Sequence, residues 1–139
     1  MQIEPIERRL LLHSAFVSAG VLTLEGVDGL DDVLVVTLIN GGTTYRAQAV
    51  NDGFSQDFAA SQVTAGVSIF GGSGNDRIEI GTGITLATTL RGDAGVDTIL
   101  GGDGPDYILG GDDADSILGG LGNDTLSAGG GRNTIFGGE

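Results

Sequence analysis

A nine-residue repeat constrains this chain more than any other feature. Residues 92–136 divide into five consecutive blocks of nine without a slip in register, which read GDAGVDTIL, GGDGPDYIL, GGDDADSIL, GGLGNDTLS and AGGGRNTIF. An earlier block at 71–79 reads GGSGNDRIE, and a divergent segment of 12 residues at 80–91 links it to the run. The stretch 26–34, GVDGLDDVL, fits the same template. A short fixed period predicts a solenoid in which each repeat stacks on its neighbours.

Three positions of the block carry most of the pattern. Position four is Gly in most blocks, with Asp113 as an exception, and glycine allows the positive φ of a tight turn. Position eight is predicted to point inward from a short strand and to form an aliphatic ladder made of Ile78, Ile99, Ile108, Ile117, Leu126 and Ile135. Position nine should point the other way, which predicts an apolar stripe of Leu100, Leu109, Leu118 and Phe136. This stripe is either partly covered by neighbouring strands or a docking surface.

The blocks resemble the repeats-in-toxin, or haemolysin-type, calcium-binding repeat, G-G-x-G-x-D-x-U-x with U a large apolar residue. The resemblance covers about half of the chain, residues 71–139. It implies an all-β fold, a right-handed parallel β-roll, or β-solenoid, in which two blocks make one coil. Each block would supply a Ca²⁺-binding turn followed by a short strand.

The same resemblance implies where calcium binds. Position-six residues would alternate between two edges of the roll, with Asp76, Asp97, Asp115 and Asn133 on one edge and Asp106 and Asp124 on the other. The implied ligands are the carboxylates of Asp76, Asp97, Asp106, Asp115 and Asp124 and the backbone of Gly92, Gly95, Gly102, Gly104, Gly111, Gly120 and Gly122.

Two departures from the pattern weaken particular sites. Asn133 removes one negative charge from the last pair on its edge, and the divergent segment offers Thr85 where an Asp is expected. We therefore expect the Asp97/Asp115 and Asp106/Asp124 pairs to bind calcium best.

The charge of the chain favours cations as partners. It contains 27 Gly and 19 acidic residues against six Arg and no Lys, with a formal net charge of −13. Nucleic acid is excluded as a partner because phosphate contacts require basic side chains. Without cysteine there is neither a disulfide nor a thiolate site, and oxygen ligands suit calcium. Since stacked carboxylates repel each other, the repeats should be largely disordered without metal and fold on binding it.

The first 70 residues follow other rules. Residues 1–20 hold Arg8-Arg9 before Leu10–Leu12, an order that is signal-like, although Glu4 and Glu7 do not suit the positive start of a signal; this segment is either signal-like or disordered. Residues 21–70 are predicted to be a more irregular β segment with one degenerate repeat. Its predicted strands are 21–24, 33–39, 44–50, 54–58 and 67–70, with a hairpin at Asn40-Gly41-Gly42.

No enzymatic activity is predicted. The sequence lacks H-E-x-x-H, G-x-S-x-G and a phosphate-loop lysine, and its one histidine, His13, is assigned no role. The first hypothesis is a calcium-binding folding, spacer or adhesive module of an exported protein, secreted or at the cell surface. The alternative is a structural or self-assembling surface-interaction solenoid in which metal is secondary. No apolar run is long enough to span a membrane, and the expected partners are calcium ions, a larger exported protein, or other copies joined end to end.

Overall fold

The structure is a computed structural model that describes residues 13–139, so the basic and leucine-rich part of the signal-like segment lies outside the described residues. The strands are β1 Ser14–Ser18, β2 Val21–Glu25, β3 Val33–Ile39, β4 Thr44–Ala49, β5 Phe54–Ala59, β6 Gly66–Ser73, β7 Arg77–Ile80, β8 Thr88–Ala94, β9 Thr98–Leu100, β10 Asp106–Asp112, β11 Ser116–Gly120, β12 Thr125–Gly129 and β13 Thr134–Gly138. Two 3₁₀ turns, Asn40–Gly42 and Ala60–Gln62, interrupt them. Within residues 13–139 no helix is long and apolar enough to cross a membrane.

The strands form two sheets in which successive strands alternate. The first sheet has the order β1-β2-β6-β8-β10-β12, and the second has the order β13-β11-β9-β7-β3-β4-β5. From β6 onward each strand pairs in parallel with the strand two places along the chain. One coil is therefore a strand of the first sheet, a turn, a strand of the second sheet and a second turn. This confirms the predicted all-β parallel β-roll.

The register of the strands reproduces the period of the sequence. Thr88 of β8 pairs with Asp106 of β10, 18 residues later. Between β6 and β8 the spacing is 21 residues, because Val67 pairs with Thr88. The divergent segment thus lengthens one turn by three residues, and Ile84 in that turn is fully buried.

Two facing rows of aliphatic side chains fill the interior. Leu24, Ile69, Leu90 and Ile108 lie in register in the first sheet, and Leu34, Ile78, Ile99 and Ile117 lie in register in the second; all eight are fully buried. The inward orientation of position eight is thus confirmed for most blocks. In the last block Ile135 lies in register with Ile117, at the end of the same row, but it is 46% exposed because β13 is the outermost described strand of its sheet.

The N-terminal end of the roll finishes in antiparallel strands. β2 and β3 pair in parallel with β6 and β7, so residues 21–36 form a further coil. β1 pairs antiparallel with β2, while β4 and β5 extend the second sheet as an antiparallel meander. The predicted hairpin is confirmed, with Gly41 at φ +65 in its loop.

The position-nine residues are partly exposed. Leu100, Leu118 and Phe136 lie in register on the outer side of the second sheet, where Leu118 is 40% and Phe136 62% exposed. Leu109 lies in the first sheet and is half-buried. Docking of a partner on this stripe stays a prediction.

The buried rows make a test of the fold. Ile99→Ala, in calcium-containing buffer, should lower the free energy of unfolding by about 2–5 kcal/mol, because the cavity it leaves is enclosed by the neighbouring coils. The matched control, Ile135→Ala, deletes the same atoms at the exposed end of the same row and should cost less than about 1 kcal/mol. Urea unfolding curves measure both, and equal losses would contradict the assigned core.

Candidate metal centre

One edge of the roll carries a ladder of position-six side chains. We call Asp32, Asp76, Asp97, Asp115 and Asn133 the Asp ladder; they lie in the turns that lead from the first sheet to the second. In every ladder residue after Asp32, the Oδ1 atom accepts a hydrogen bond from the backbone N–H of the ladder residue one coil earlier, at 2.8 Å for Asp76, 2.8 Å for Asp97, 3.0 Å for Asp115 and 2.7 Å for Asn133. Side chains therefore hold consecutive turns together, and this places their carboxylates inside the edge.

The second oxygen of three ladder carboxylates has no partner. Asp76, Asp97 and Asp115 are at most 2% exposed, and their Oδ2 atoms are buried without a hydrogen bond. A buried, unpaired carboxylate oxygen is costly, and a bound cation or a proton is the usual remedy. These atoms are the strongest indication that this edge binds a cation.

The pKa values of these groups have the same cause. Burial raises the pKa of Asp76 and the pKa of Asp97 to about 6, and nearby carboxylates add to the effect. Burial also raises the pKa of Asp115. The metal-free edge therefore disfavours the ionised form that a cation would stabilise.

Glycine at position one makes room for the carboxylate. A Cβ built on Gly92 would overlap Asp97 Oδ2, and a Cβ on Gly71 would lie 2.5 Å from Asp76 Oδ2. The same Cβ on Gly71 would lie 2.9 Å from the carbonyl oxygen of Gly92 in the next coil. Carboxylate and carbonyl oxygens thus converge on one small space.

The opposite edge is built differently. Asp106 Oδ1 accepts a hydrogen bond from the Thr88 hydroxyl at 2.7 Å, and its Oδ2 accepts one from the Gly102 N–H at 2.8 Å. The Asp106 N–H in turn donates to Asp124 Oδ1 at 2.9 Å. The assignment of Thr85 to the Asp position is wrong: Thr88 occupies it, because the three extra residues precede the strand rather than follow it.

The turn of the first coil corrects a second assignment. The template fitted to 26–34 puts Asp31 at position six, but the Asp31 carboxylate accepts the Asn75 N–H, and Asp32 is the residue that stacks on Asp76. Gly26 still lies over Gly71, so this turn contains one extra residue. Sequence reasoning missed Asp32 because the block was aligned without an insertion.

His13, to which the sequence analysis assigns no role, contacts the first turn of the Asp ladder. Its Nε2 atom is 2.7 Å from Asp32 Oδ1 and its Nδ1 atom is 2.6 Å from Asp52 Oδ2, with the ring almost fully buried. No local motif marks this residue, since its partners are 19 and 39 residues away.

The glycines implied as ligands all lie in or beside the turns. Gly92 and Gly95 flank the turn before Asp97, Gly111 lies before Asp115, and Gly102, Gly104, Gly120 and Gly122 lie on the opposite edge. Gly95, Gly111, Gly120 and Gly122 have positive φ, as do Asp93 and Asp113, so Asp113 does occupy a glycine-like conformation. The carbonyls of Gly102, Gly111 and Gly120 accept N–H groups of the next coil.

The available atoms fit a hard cation. Within residues 13–139 no three His, Cys, Asp or Glu side chains cluster as a ready-made metal site. An ion at the ladder must therefore combine carboxylate oxygens with backbone carbonyls, the mixed oxygen set that calcium accepts in flexible geometry.

Acidification should stabilise the metal-free roll. Because the pKa values of Asp76 and Asp97 are raised from 3.8 to about 6, the folded chain binds protons that the unfolded chain does not. In metal-stripped buffer, β-sheet content by circular dichroism should increase as the pH falls from 7 through about 6, and level off below about 4. A decrease over this range would contradict the burial of these carboxylates.

Comparison with known proteins agrees with this geometry. The family model of the RTX calcium-binding nonapeptide repeat matches in four copies, at residues 67–85, 91–126 and 118–139. Searches of curated proteins and of solved structures gave no match. Members of this repeat family bind Ca²⁺, and the matched residues include the unpaired carboxylates of Asp76, Asp97 and Asp115. The chain therefore belongs, through its C-terminal half, to the RTX calcium-binding nonapeptide repeat family.

Proposed function

We propose that this chain is a calcium-dependent folding module of an exported protein, in which ions between stacked turns neutralise the Asp ladder. The observation that carries the proposal is the set of buried, unpaired Oδ2 atoms on Asp76, Asp97 and Asp115. Calcium binding follows from the repeat family, while the individual ligands and the cellular role are the proposal.

Electrostatics makes the ions part of the fold. The Asp ladder stacks ionisable carboxylates in consecutive coils, and the chain has six Arg and no Lys among 139 residues to offset 19 acidic groups. Of the described arginines, Arg46, Arg77 and Arg91 pair with exposed acids instead of ladder residues. None of the arginines within residues 13–139 forms an ion pair with Asp76, Asp97 or Asp115, so a bound cation is the expected source of positive charge for these three residues.

The two edges are expected to differ in their demand for calcium. On the ladder edge, Asp76/Asp97 and Asp97/Asp115 each combine two buried carboxylates with an unpaired oxygen. On the other edge, both oxygens of Asp106 already accept hydrogen bonds, and Asp124 is only half-buried. We assign the ladder-edge sites first, with the carbonyls of Gly92 and Gly95 as further ligands, and Asp106/Asp124 with Gly102, Gly104, Gly120 and Gly122 second.

The setting in which such a module works is outside the cell. RTX repeats are typical of exported proteins, and the chain has no cysteine to form a disulfide. Calcium bound with a dissociation constant of roughly 10⁻⁴–10⁻³ M is taken up only where calcium is abundant. The repeats would thus remain unfolded before export and fold afterwards, as part of a spacer or adhesive segment of a larger protein.

Calcium should switch the repeats between unfolded and folded states. In excess EDTA the circular dichroism spectrum should show mainly disordered chain for residues 71–139, and millimolar Ca²⁺ should restore β-structure with a cooperative transition. Isothermal titration calorimetry on the same sample gives the heat and the stoichiometry of binding. Magnesium at equal concentration is the control, because it favours octahedral sites that keep water. The same spectrum in EDTA and in Ca²⁺ would refute the proposal.

A single substitution separates the charge of the ladder from its hydrogen bonds. Asp97→Asn keeps an oxygen acceptor for the Asp76 N–H, as Asn133 does for Asp115, but it removes the charge from the buried site. We expect the calcium concentration at the folding midpoint of this variant to be about three- to tenfold higher than that of wild type. In EDTA the variant should be no less ordered than wild type. Glu79→Gln, which removes one charge from an exposed pair with Arg77, should change the midpoint less than about twofold. Equal midpoints for the two variants would count against Asp97 as a ligand.

A further inference from the structure

We propose that His13 closes the N-terminal end of the Asp ladder and makes residues 13–65 a calcium-independent template on which the repeats fold. This inference rests on the calcium dependence proposed above. It concerns a part of the chain that lies outside the matched repeats, and its starting point is the difference between the first turn and all later turns of the ladder edge.

His13 replaces the backbone N–H that a preceding coil would offer to Asp32. In every later coil of the ladder, Oδ1 accepts the backbone N–H of the preceding coil. Asp32 belongs to the first coil and has no such neighbour, and its Oδ1 instead lies 2.7 Å from His13 Nε2. The imidazole thus ends the ladder with the same kind of bond that continues it elsewhere.

The ring also contacts two carboxylates at once, Asp32 and Asp52. Carboxylates only accept hydrogen bonds, and the imidazolium form of histidine is the form that donates from both ring nitrogens. In that form the ring would place a buried positive charge at the first turn, as an ion would at the later turns.

The remaining oxygens of the first turn are satisfied by the chain itself. Asp32 Oδ2 accepts the Val27 N–H at 2.7 Å, and Asp31 Oδ1 accepts the Asn75 N–H at 2.7 Å. The unpaired buried oxygens found in the described part of the chain belong to Asp76, Asp97 and Asp115, all in later turns. The first turn therefore does not require an external cation.

Local pairing supports folding of this part without metal. β3, β4 and β5 form an antiparallel meander joined by short loops, and a core that includes Val36, Ala47 and Ala49 is fully buried. Contacts between neighbours in sequence form with a small entropic cost. His13 joins three parts of residues 13–65: the start of β1, the turn before β3 and the turn between β4 and β5.

The template would then present two strands to the repeats. β2 and β3 pair in parallel with β6 and β7, so their edges set the register of the first matched repeat. Each calcium-loaded turn would add the next coil, and the roll would grow from its N-terminal end.

Hydrogen exchange of the full-length chain, read by mass spectrometry of peptides, tests this directly. In EDTA, peptides from 21–49 should exchange at least about tenfold more slowly than peptides from 92–136, whereas in millimolar Ca²⁺ both should be protected. If neither region is protected in EDTA, the template is refuted and the proposed calcium function stands. If both are protected in EDTA, the calcium dependence itself fails, and the template fails with it.

Substitutions test the role of His13. His13→Ala should raise the exchange rate of 21–49 in EDTA to that of 92–136, because removing one partner of a buried ion pair leaves an uncompensated buried charge, and it should raise the calcium midpoint of the repeats. Arg46→Gln removes a positive charge from an exposed ion pair within residues 13–65. It should change the exchange rate of 21–49 and the calcium midpoint by no more than about threefold. Equal exchange in His13→Ala and wild type would overturn the inference. If His13→Ala does not fold even in calcium, Asp52→Asn decides: faster exchange of 21–49 supports the role of His13, and unchanged exchange refutes it.

Discussion

The structure depends on one interaction, the hydrogen bond from a backbone N–H to the carboxylate of the equivalent residue in the next coil. In Asp76, Asp97 and Asp115 this bond uses Oδ1 and leaves Oδ2 buried without a partner. The bond that aligns consecutive turns therefore also creates the need for a cation. With ions bound at these oxygens as proposed, one group would serve both purposes, and folding would be linked to ion binding on this edge.

The chain meets the need for positive charge differently at different places. Asp32 faces the imidazole of His13, Asp106 receives the hydroxyl of Thr88 and the N–H of Gly102, and Asp76, Asp97 and Asp115 have no internal donor for Oδ2. On the ladder edge, the chain itself satisfies the first turn, and the unpaired buried oxygens belong to later turns. A uniform array of identical sites would not produce a defined starting point for folding.

Much of the fold could be predicted from the sequence, because its period fixes which residues stack. The period predicts a solenoid with position eight buried, the Asn-Gly sequence predicts the hairpin at Asn40–Gly42, and the family resemblance implies the parallel roll. The errors lie where spacing changes. One extra residue in the first turn places Asp32, and not Asp31, at position six on the ladder edge. On the opposite edge, three extra residues place Thr88, and not Thr85, at position six. His13 was missed because its contacts are long-range and obey no period.

Glycine at position one and aspartate at position six depend on each other. The carboxylate of position six turns back over position one, so that a Cβ on Gly110 would lie 2.4–2.7 Å from both Asp115 Oδ2 and the Ala128 carbonyl. Any side chain there would fill the space in which oxygens from two coils meet. Gly137 shows the contrast: no heavy atom lies within 4 Å of a Cβ placed there, because no described coil stacks beyond it. Glycine is thus required at position one because oxygens from two stacked coils meet there. This explains why glycine at position one occurs together with aspartate at position six.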